Sequence, residues 1–401
     1  MYKWMKNILP GGCGKMETDA TADNTKQTNP PEQAKHESNI LDLAFAMDCT
    51  GSMGSYIKQA QQNIRKIVED IVAAEKADVH LALVEYRDHP PEDTSFVTKV
   101  QDFTPSVSVM KKCLDACSAQ GGGDTPEAVA DALHQVLKLS WREEATKICV
   151  FIADAPPHGL STSKFSDHFP KGCPDGLDPM EITHQIAEKG ITIYTVGCEP
   201  AVNQCKDFFM AVAHTTGGQY VPLRNAALLA QVIIGGAQEE VTLQRHLAEV
   251  NEEVLQEAQG MEELDDEEVA TKVHQKLLSK GAKTKKLMRN QAALPEASGV
   301  AKKMSAFKNM AEVQATYDSE VAVTAAPEFE VKRSVFGGKM KKKSKKPMPM
   351  SVDSPPPPMA MAMSSALDHY EVSEGNIDYA QTKRLVSKSM AQNKIKKASK
   401  F

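Results

Sequence analysis

The chain has 401 residues, of which 41% are hydrophobic and 25% charged, with a formal net charge of −6 and 8 cysteines. That length accommodates two or three domains. No apolar run approaches the roughly 18 residues that a membrane-spanning helix needs, and the opening MYKWMKNILPGGCGK lacks the apolar stretch of a secretory signal. Tyr2 stands where a myristoylation signal needs glycine. The cysteines, several inside apolar segments, are read as free thiols of a reducing compartment. The net charge hides segregation. Glu252–Glu268 holds nine acidic residues and no Lys or Arg, while Lys332–Lys346 holds eight basic residues and no acid.

Residues 1–38 are polar and read as a flexible arm. The apolar run Leu43–Met47 predicts a buried parallel strand over 41–47. Residues 55–76 place Ile57, Ile64, Ile67, Val68, Ile71 and Val72 on one helical stripe. Val79–Tyr86 predicts a second strand and Phe96–Phe103 an edge strand paired as a hairpin. Residues 106–119 predict a helix. Pro126 then fits the first turn of a helix reaching Leu139. Ile148–Ala153 is the most continuous apolar strand and is expected at the centre of the sheet. After a long loop, 155–177, come a helix at 179–189, a strand at Ile191–Val196, a helix at 203–214, a short strand at Gln219–Val221 and a helix from Asn225 to about 258. This alternation predicts an α/β fold: a doubly wound, mostly parallel sheet with helices on both faces, over 39–245. A charged helical segment is expected at 246–290 and a disordered Lys/Pro/Met-rich tail at 291–401.

Chemistry concentrates at the ends of the strands. Asp48-Cys49-Thr50-Gly51-Ser52 puts one carboxylate and two hydroxyls at i, i+2 and i+4, just past the first strand, where an open α/β sheet binds ligands. Taken alone, Asp-x-Thr-x-Ser more often describes a helix N-cap. Two further loops strengthen a metal reading: Gly121-Gly122-Gly123-Asp124-Thr125-Pro126, and Asp154 after the central strand. Hard oxygens with few carboxylates suit Mg²⁺, with Mn²⁺ or Ca²⁺ as alternatives. Arg87, Asp88 and His158 are expected to rim this face. His158, His168 and Cys173 in the long loop are of zinc-ligand type, but their spacing fits no common zinc pattern and a packed loop is expected. Cys113 and Cys117 read as core thiols. No Gly-x-Ser-x-Gly elbow is present.

DCTGS resembles the Asp-x-Ser/Thr-x-Ser signature of von Willebrand factor A domains that carry a metal-ion-dependent adhesion site. The resemblance implies Asp48, Thr50 and Ser52 as ligands from the first loop, Thr125 or the adjacent Asp124 from the second, and Asp154 from the third. DCTGSMGSYI, EYRDH, GGGDTPEAV, LSWR and IADAPPHG together resemble the corresponding domain of the alpha-kinase family, over about 39–245. No Gly-rich phosphate loop follows a strand in 246–401, so the kinase half is expected to be absent. The resemblance therefore implies a non-enzymatic protein-binding module whose cation captures an Asp or Glu of a partner. A regulatory relative of an alpha-kinase system is the alternative.

The tail adds secondary expectations. KMKKKSKK at Lys339–Lys346 offers contact with an anionic surface or a nuclear address. Pro355–Pro358 suits a proline-recognition module. The expected location is cytoplasmic.

Overall fold

The computed structural model describes residues 39–259, 263–324 and 368–397. The chain runs β1 (Asn39–Asp48), α1 (Gly54–Glu75), β2 (Ala77–Tyr86), β3 (Thr98–Thr104), α2 (Val107–Ala116), α3 (Val129–Lys138) and β4 (Thr146–Ala153). It continues with α4 (Pro179–Glu188), β5 (Thr192–Cys198), α5 (Lys206–Thr215), β6 (Tyr220–Leu223) and α6 (Leu229–Glu257). Then come β7 (Glu263–Leu264), α7 (Asp266–Ser279), β8 (Lys283–Arg289), β9 (Ala292–Ala293), α8 (Gly299–Ser305) and α9 (Met310–Thr324). The last elements are β10 (Tyr370–Asn376), α10 (Tyr379–Gln392) and β11 (Lys396–Lys397).

Six strands form the central sheet in the order β3-β2-β1-β4-β5-β6. Its pairs are parallel except β2 with β3, an antiparallel edge. The period-two geometry of a strand sends alternate side chains to opposite faces. Leu41, Leu43, Phe45 and Met47 of β1 join one core with α1, α2 and α6, while Ala44 and Ala46 join the other with α3, α4 and α5. Both faces are thus covered, which is why Leu43–Met47 of β1 and Ile148–Ala153 of β4 read as continuous apolar runs.

The sequence order places Pro126 in the first turn of a helix, but α3 begins later, at Val129. Glu127 is held instead in a parallel bridge opposite Pro157, its N–H donating to the Pro156 carbonyl at 2.9 Å. The larger departures lie beyond 245. Residues 283–289, expected to be helical, are a strand, and β8 lies between β10 and β9 in a second, three-stranded sheet. Parts of the expected disordered tail are likewise folded: α8 and α9 add Ala301, Met304, Met310, Val313 and Tyr317 to the core under α3–α5. The basic cluster Lys339–Lys346 and Pro355–Pro358 lie outside the described residues, as do 1–38.

The segment from β10 to α10 returns to the body of the fold. Tyr370 donates its hydroxyl to the Pro222 carbonyl, and Leu385, Val386 and Met390 pack with Val250, Val254 and Val273 of α6 and α7. Between α6 and α10 sits a buried ionic network. Arg384 donates to Glu239 at 2.7 Å, to Glu240 at 3.1 Å, to the Tyr194 hydroxyl at 2.7 Å and to the Gly217 carbonyl at 2.8 Å. Lys388 adds a second cation on Glu240, and Gln381 donates to Glu239. Burial alone would raise the Glu240 pKa, but Lys388 and Arg384 outweigh it and hold the carboxyl below its ordinary value.

Removing one partner of a buried charge pair strands the other in low dielectric. Arg384→Ala is therefore expected to lower the unfolding free energy by about 3–5 kcal/mol. Glu374→Ala, at an exposed position of β10, is expected to change it by less than about 0.5 kcal/mol. Urea unfolding of the two variants checks both; equal midpoints would mean that the network adds nothing to docking of α10.

Candidate metal centre

The site follows from the strand order. Connections leave β1 toward β2 on one side and β4 toward β5 on the other, so the direction of winding reverses between β1 and β4, the place where such sheets form a crevice. Met47 pairs with Ile152 across these two strands. Asp48 directly follows Met47 and Asp154 lies two residues past Ile152, so both leave the sheet at the same end of this strand pair.

Asp48 is fully buried. Its Oδ1 accepts from the Thr50 N–H at 2.8 Å and from the Thr50 hydroxyl at 2.6 Å, which fixes the first loop as a tight side-chain-to-backbone turn. The Ser52 hydroxyl bonds to Asp154, which also contacts Asp48. The second loop is tied to the first by backbone bonds: Gly51 N–H to the Gly121 carbonyl at 3.3 Å and Gln120 N–H to the Cys49 carbonyl at 3.1 Å. Gly121 and Gly122 have φ of +83° and +88°, and a Cβ on Gly121 would lie 1.8 Å from an Asp93 carboxylate oxygen. Only glycine lets this loop approach so closely. Of the two second-loop candidates, Asp124 has a side chain only 1% exposed, whereas Thr125 is exposed.

Two further acids join the cluster: Asp88, expected only at its rim, and Glu127, which the sequence motifs do not single out. Glu127, just before α3, is 4% exposed, and Asp88, after β2, is fully buried. Their residue types were visible in EYRDH and GGGDTPEAV, but only the fold reveals their burial. Seven buried side-chain polar atoms among the described residues have no hydrogen-bond partner. Six of them are carboxylate oxygens: five from Asp48, Asp88, Asp124, Glu127 and Asp154, and a sixth from Asp93, which lies 3.7 Å from the Arg87 guanidinium. Buried polar atoms are normally satisfied, and a concentration of orphaned carboxylate oxygens is what a site able to hold a cation would present.

The electrostatics agree. Burial, then the neighbouring Asp154 charge, push Asp48 up to about 7. Burial and the charges of Asp48, Asp88, Asp154 and Asp124 push Glu127 up to about 11. Burial also raises Asp124 to about 6, and raises Asp154 against the opposing Ser52 hydrogen bond. An all-oxygen set of carboxylates and hydroxyls fits a hard divalent ion.

Arg87, Asp88 and His158 do not form an exposed rim; they are 4%, 0% and 3% exposed and brace the loops from beneath. Arg87 donates to the Cys49 carbonyl at 3.2 Å, to Ser95 Oγ at 2.7 Å and to the Ser118 carbonyl at 2.8 Å, and its guanidinium lies over Phe96. Its bonds are spent inside the fold. His158 lies between Asp88 at 2.7 Å and Asp167 at 2.9 Å. Burial would lower its pKa, but bonds to Asp167 and Asp88 prevail and raise it to about 9, so it sits as a cation under the acids. His158, His168 and Cys173 do not converge: His168 turns to Glu92 and Cys173 to His89 and Asp131.

A family model described as von Willebrand factor A domain matches residues 42–164. Among characterised relatives, an alpha-protein kinase, vwkA, of Dictyostelium discoideum is 29% identical over 163 residues, 40% of this chain and 26% of that protein. A putative ariadne-like RING finger protein, R811, of Acanthamoeba polyphaga mimivirus is 27% identical over 211 residues, 49% of this chain and 20% of that protein. The von Willebrand factor A domain-containing protein 7 of Mus musculus is 34% identical over 122 residues, 30% of this chain and 13% of that protein. The chain thus matches about a quarter or less of the length of each of these relatives. Among solved structures, a von Willebrand factor type A from Catenulispora acidiphila aligns with a TM-score of 0.36 at 15% identity, over 51% of this chain and 43% of that one.

Carboxyls whose folded pKa lies above the unfolded value hold protons more tightly in the folded state, so stability falls as pH rises from the unfolded toward the folded pKa. For Asp48 that window runs from 3.8 to about 7. In chelator, the melting temperature is therefore expected to fall between about pH 4 and about pH 7, and Mg²⁺ is expected to flatten the fall by taking the place of the protons. A melting temperature in chelator that rises with pH over this range would contradict the clustering of these acids.

Proposed function

We propose that the von Willebrand factor A domain carried by this chain is a divalent-cation-dependent receptor for an acidic side chain of a protein partner. The observation that supports it is the set of buried, unpartnered carboxylate oxygens of Asp48, Asp124, Glu127 and Asp154 on the loops after β1, before α3 and after β4, with that of Asp88 after β2. In this reading Asp48, Thr50, Ser52, Asp124 or Thr125, and Asp154 supply the ligand set, and Mg²⁺ is the ion.

A small hard cation keeps waters and takes few protein charges. His158, bonded to Asp88 and Asp167, offsets part of the acidic charge beneath the cup. The bound ion then remains electrophilic enough to accept one further anion from outside. A partner's Asp or Glu provides that anion, so affinity becomes conditional on the metal. The seven free cysteines of the described residues support placing this capture in a reducing, cytoplasmic setting. The relation to an alpha-kinase system enters as regulation of such a kinase, rather than as catalysis by this chain.

Asp48→Ala removes the carboxylate that organises the first loop. Calorimetric titration with Mg²⁺ is expected to show loss of binding in that variant. Capture of a protein partner from lysate is expected with Mg²⁺, and not with EDTA or with the variant. Unchanged Mg²⁺ affinity in Asp48→Ala, or capture indifferent to chelator, would refute the proposal. Incubation with labelled ATP and Mg²⁺ separates the kinase alternative, which requires phosphate incorporation.

A further inference from the structure

Three side chains outside the acid cluster meet at one point. His89 follows β2, Asp131 lies in the first turn of α3, and Cys173 belongs to the long loop between β4 and α4. His89 Nε2 lies 2.9 Å from Asp131 Oδ2 and 3.7 Å from Cys173 Sγ, and Cys173 Sγ lies 3.3 Å from the same Asp131 oxygen. His89 and Asp131 are buried and Cys173 is half-buried. Phe169 packs edge-on against the His89 ring, with centroids 5.8 Å apart.

The triangle excludes one familiar use of these residues. In a nucleophile relay, the carboxylate orients the histidine through one ring nitrogen and the nucleophile uses the other. Here the thiol and the carboxylate address the same nitrogen, Nε2, and also each other. Three donors sharing one triangle is the arrangement of coordination. With bonds of about 2.0–2.3 Å, a tetrahedral zinc holds its donors about 3.2–3.7 Å apart. The observed edges span that range with one edge shorter, as befits donors that hydrogen-bond to one another without an ion.

We infer that His89 Nε2, Asp131 Oδ2 and Cys173 Sγ form a zinc site, with water at the fourth position on the half-buried Cys173 side. A nitrogen, an oxygen and a sulfur suit a borderline-soft ion and not Mg²⁺. On binding, two protons leave to solvent, one from the Cys173 thiol and one from His89 Nε2, which faces the Asp131 carboxylate as a donor, so that His89 ligates as the neutral imidazole. One thiolate and one carboxylate then balance the two positive charges of zinc, so the buried assembly is neutral.

The ion would join three segments distant in sequence. The long loop it pins also delivers His158 to Asp88 and the His168 N–H to Asp124, both at the acid cluster. Zinc thereby fixes the loop that lies against the oxygen-only cup, and the two sites sort ions by hardness. The inference does not depend on the proposed partner capture, because none of its three donors belongs to the ligand set proposed for Mg²⁺.

The test uses the full chain, stripped with EDTA and returned to excess Mg²⁺ so that the oxygen cup is filled. Co²⁺ added as a spectroscopic substitute is expected to give a thiolate-to-cobalt charge-transfer band saturating at one equivalent, which Zn²⁺ displaces. Cys173→Ser is expected to abolish the band and weaken Zn²⁺ binding by at least about 100-fold, while Asp48→Ala keeps the band. Should Cys173→Ser fail to fold, Asp131→Asn preserves shape and is expected to weaken Zn²⁺ by at least about 10-fold. The inference is overturned by the absence of a thiolate band, by its persistence in Cys173→Ser, or by unchanged Zn²⁺ affinity in Asp131→Asn.

Discussion

The parallel pairing of β1 with β4 is the constraint from which the rest of this molecule follows. Two strands far apart in sequence are hydrogen-bonded neighbours from Leu41 opposite Thr146 to Met47 opposite Ile152. Their connections wind away in opposite directions, so no helix crosses above their shared end. A gap is left there by topology alone, and the chain lines it with carboxylates. The apolar strands below are stiff and buried on both faces, so the acids cannot drift apart to relieve their repulsion.

Such crowding is tolerated because other groups hold the loops from behind. Arg87 joins the carbonyl of Cys49 to the segment around Ser95 and Ser118, and so clamps the first loop against its neighbours. Asp88 and Asp167 grip His158 from either side. These interactions stabilise an arrangement that the acids would otherwise oppose, and leave a region poised to gain from an added positive charge. Local cost at a functional site, compensated by the surrounding packing, is a general pattern.

Much of this was readable from the chain, and the parts that were not share a cause. β1 and β4 announced themselves because strands buried on both faces must be apolar throughout. The loop acids were visible as residue types at strand ends. β8 was hidden because KTKKLMR buries only Thr284 and Leu287, and its four basic residues mask the alternation. Its partner β10 lies about eighty residues downstream, beyond any local pattern. α10 did carry a local signal, the Asp378–Gln381 capping box, which passed unused amid Lys-rich and Pro-rich sequence. Arg87 and His158 were placed on the wrong side of the surface because a charged residue is usually exposed; what buries them is the set of partners supplied by three other loops. The triangle of His89, Asp131 and Cys173 is set by tertiary folding alone, since no two of its members are neighbours in sequence.

The return of β10 and α10 to the body of the fold has a consequence for how the chain is wired. This strand and helix meet their partners through ladder hydrogen bonds to β8, apolar contacts with α7 and ionic contacts with α6. Their attachment is an interface in everything but covalent connectivity. A protease nick between Thr324 and Asp368 would leave both pieces with every one of these contacts still available. The segment has the character of an intramolecular ligand with its own receptor groove, and a free copy of it would compete for the same seat.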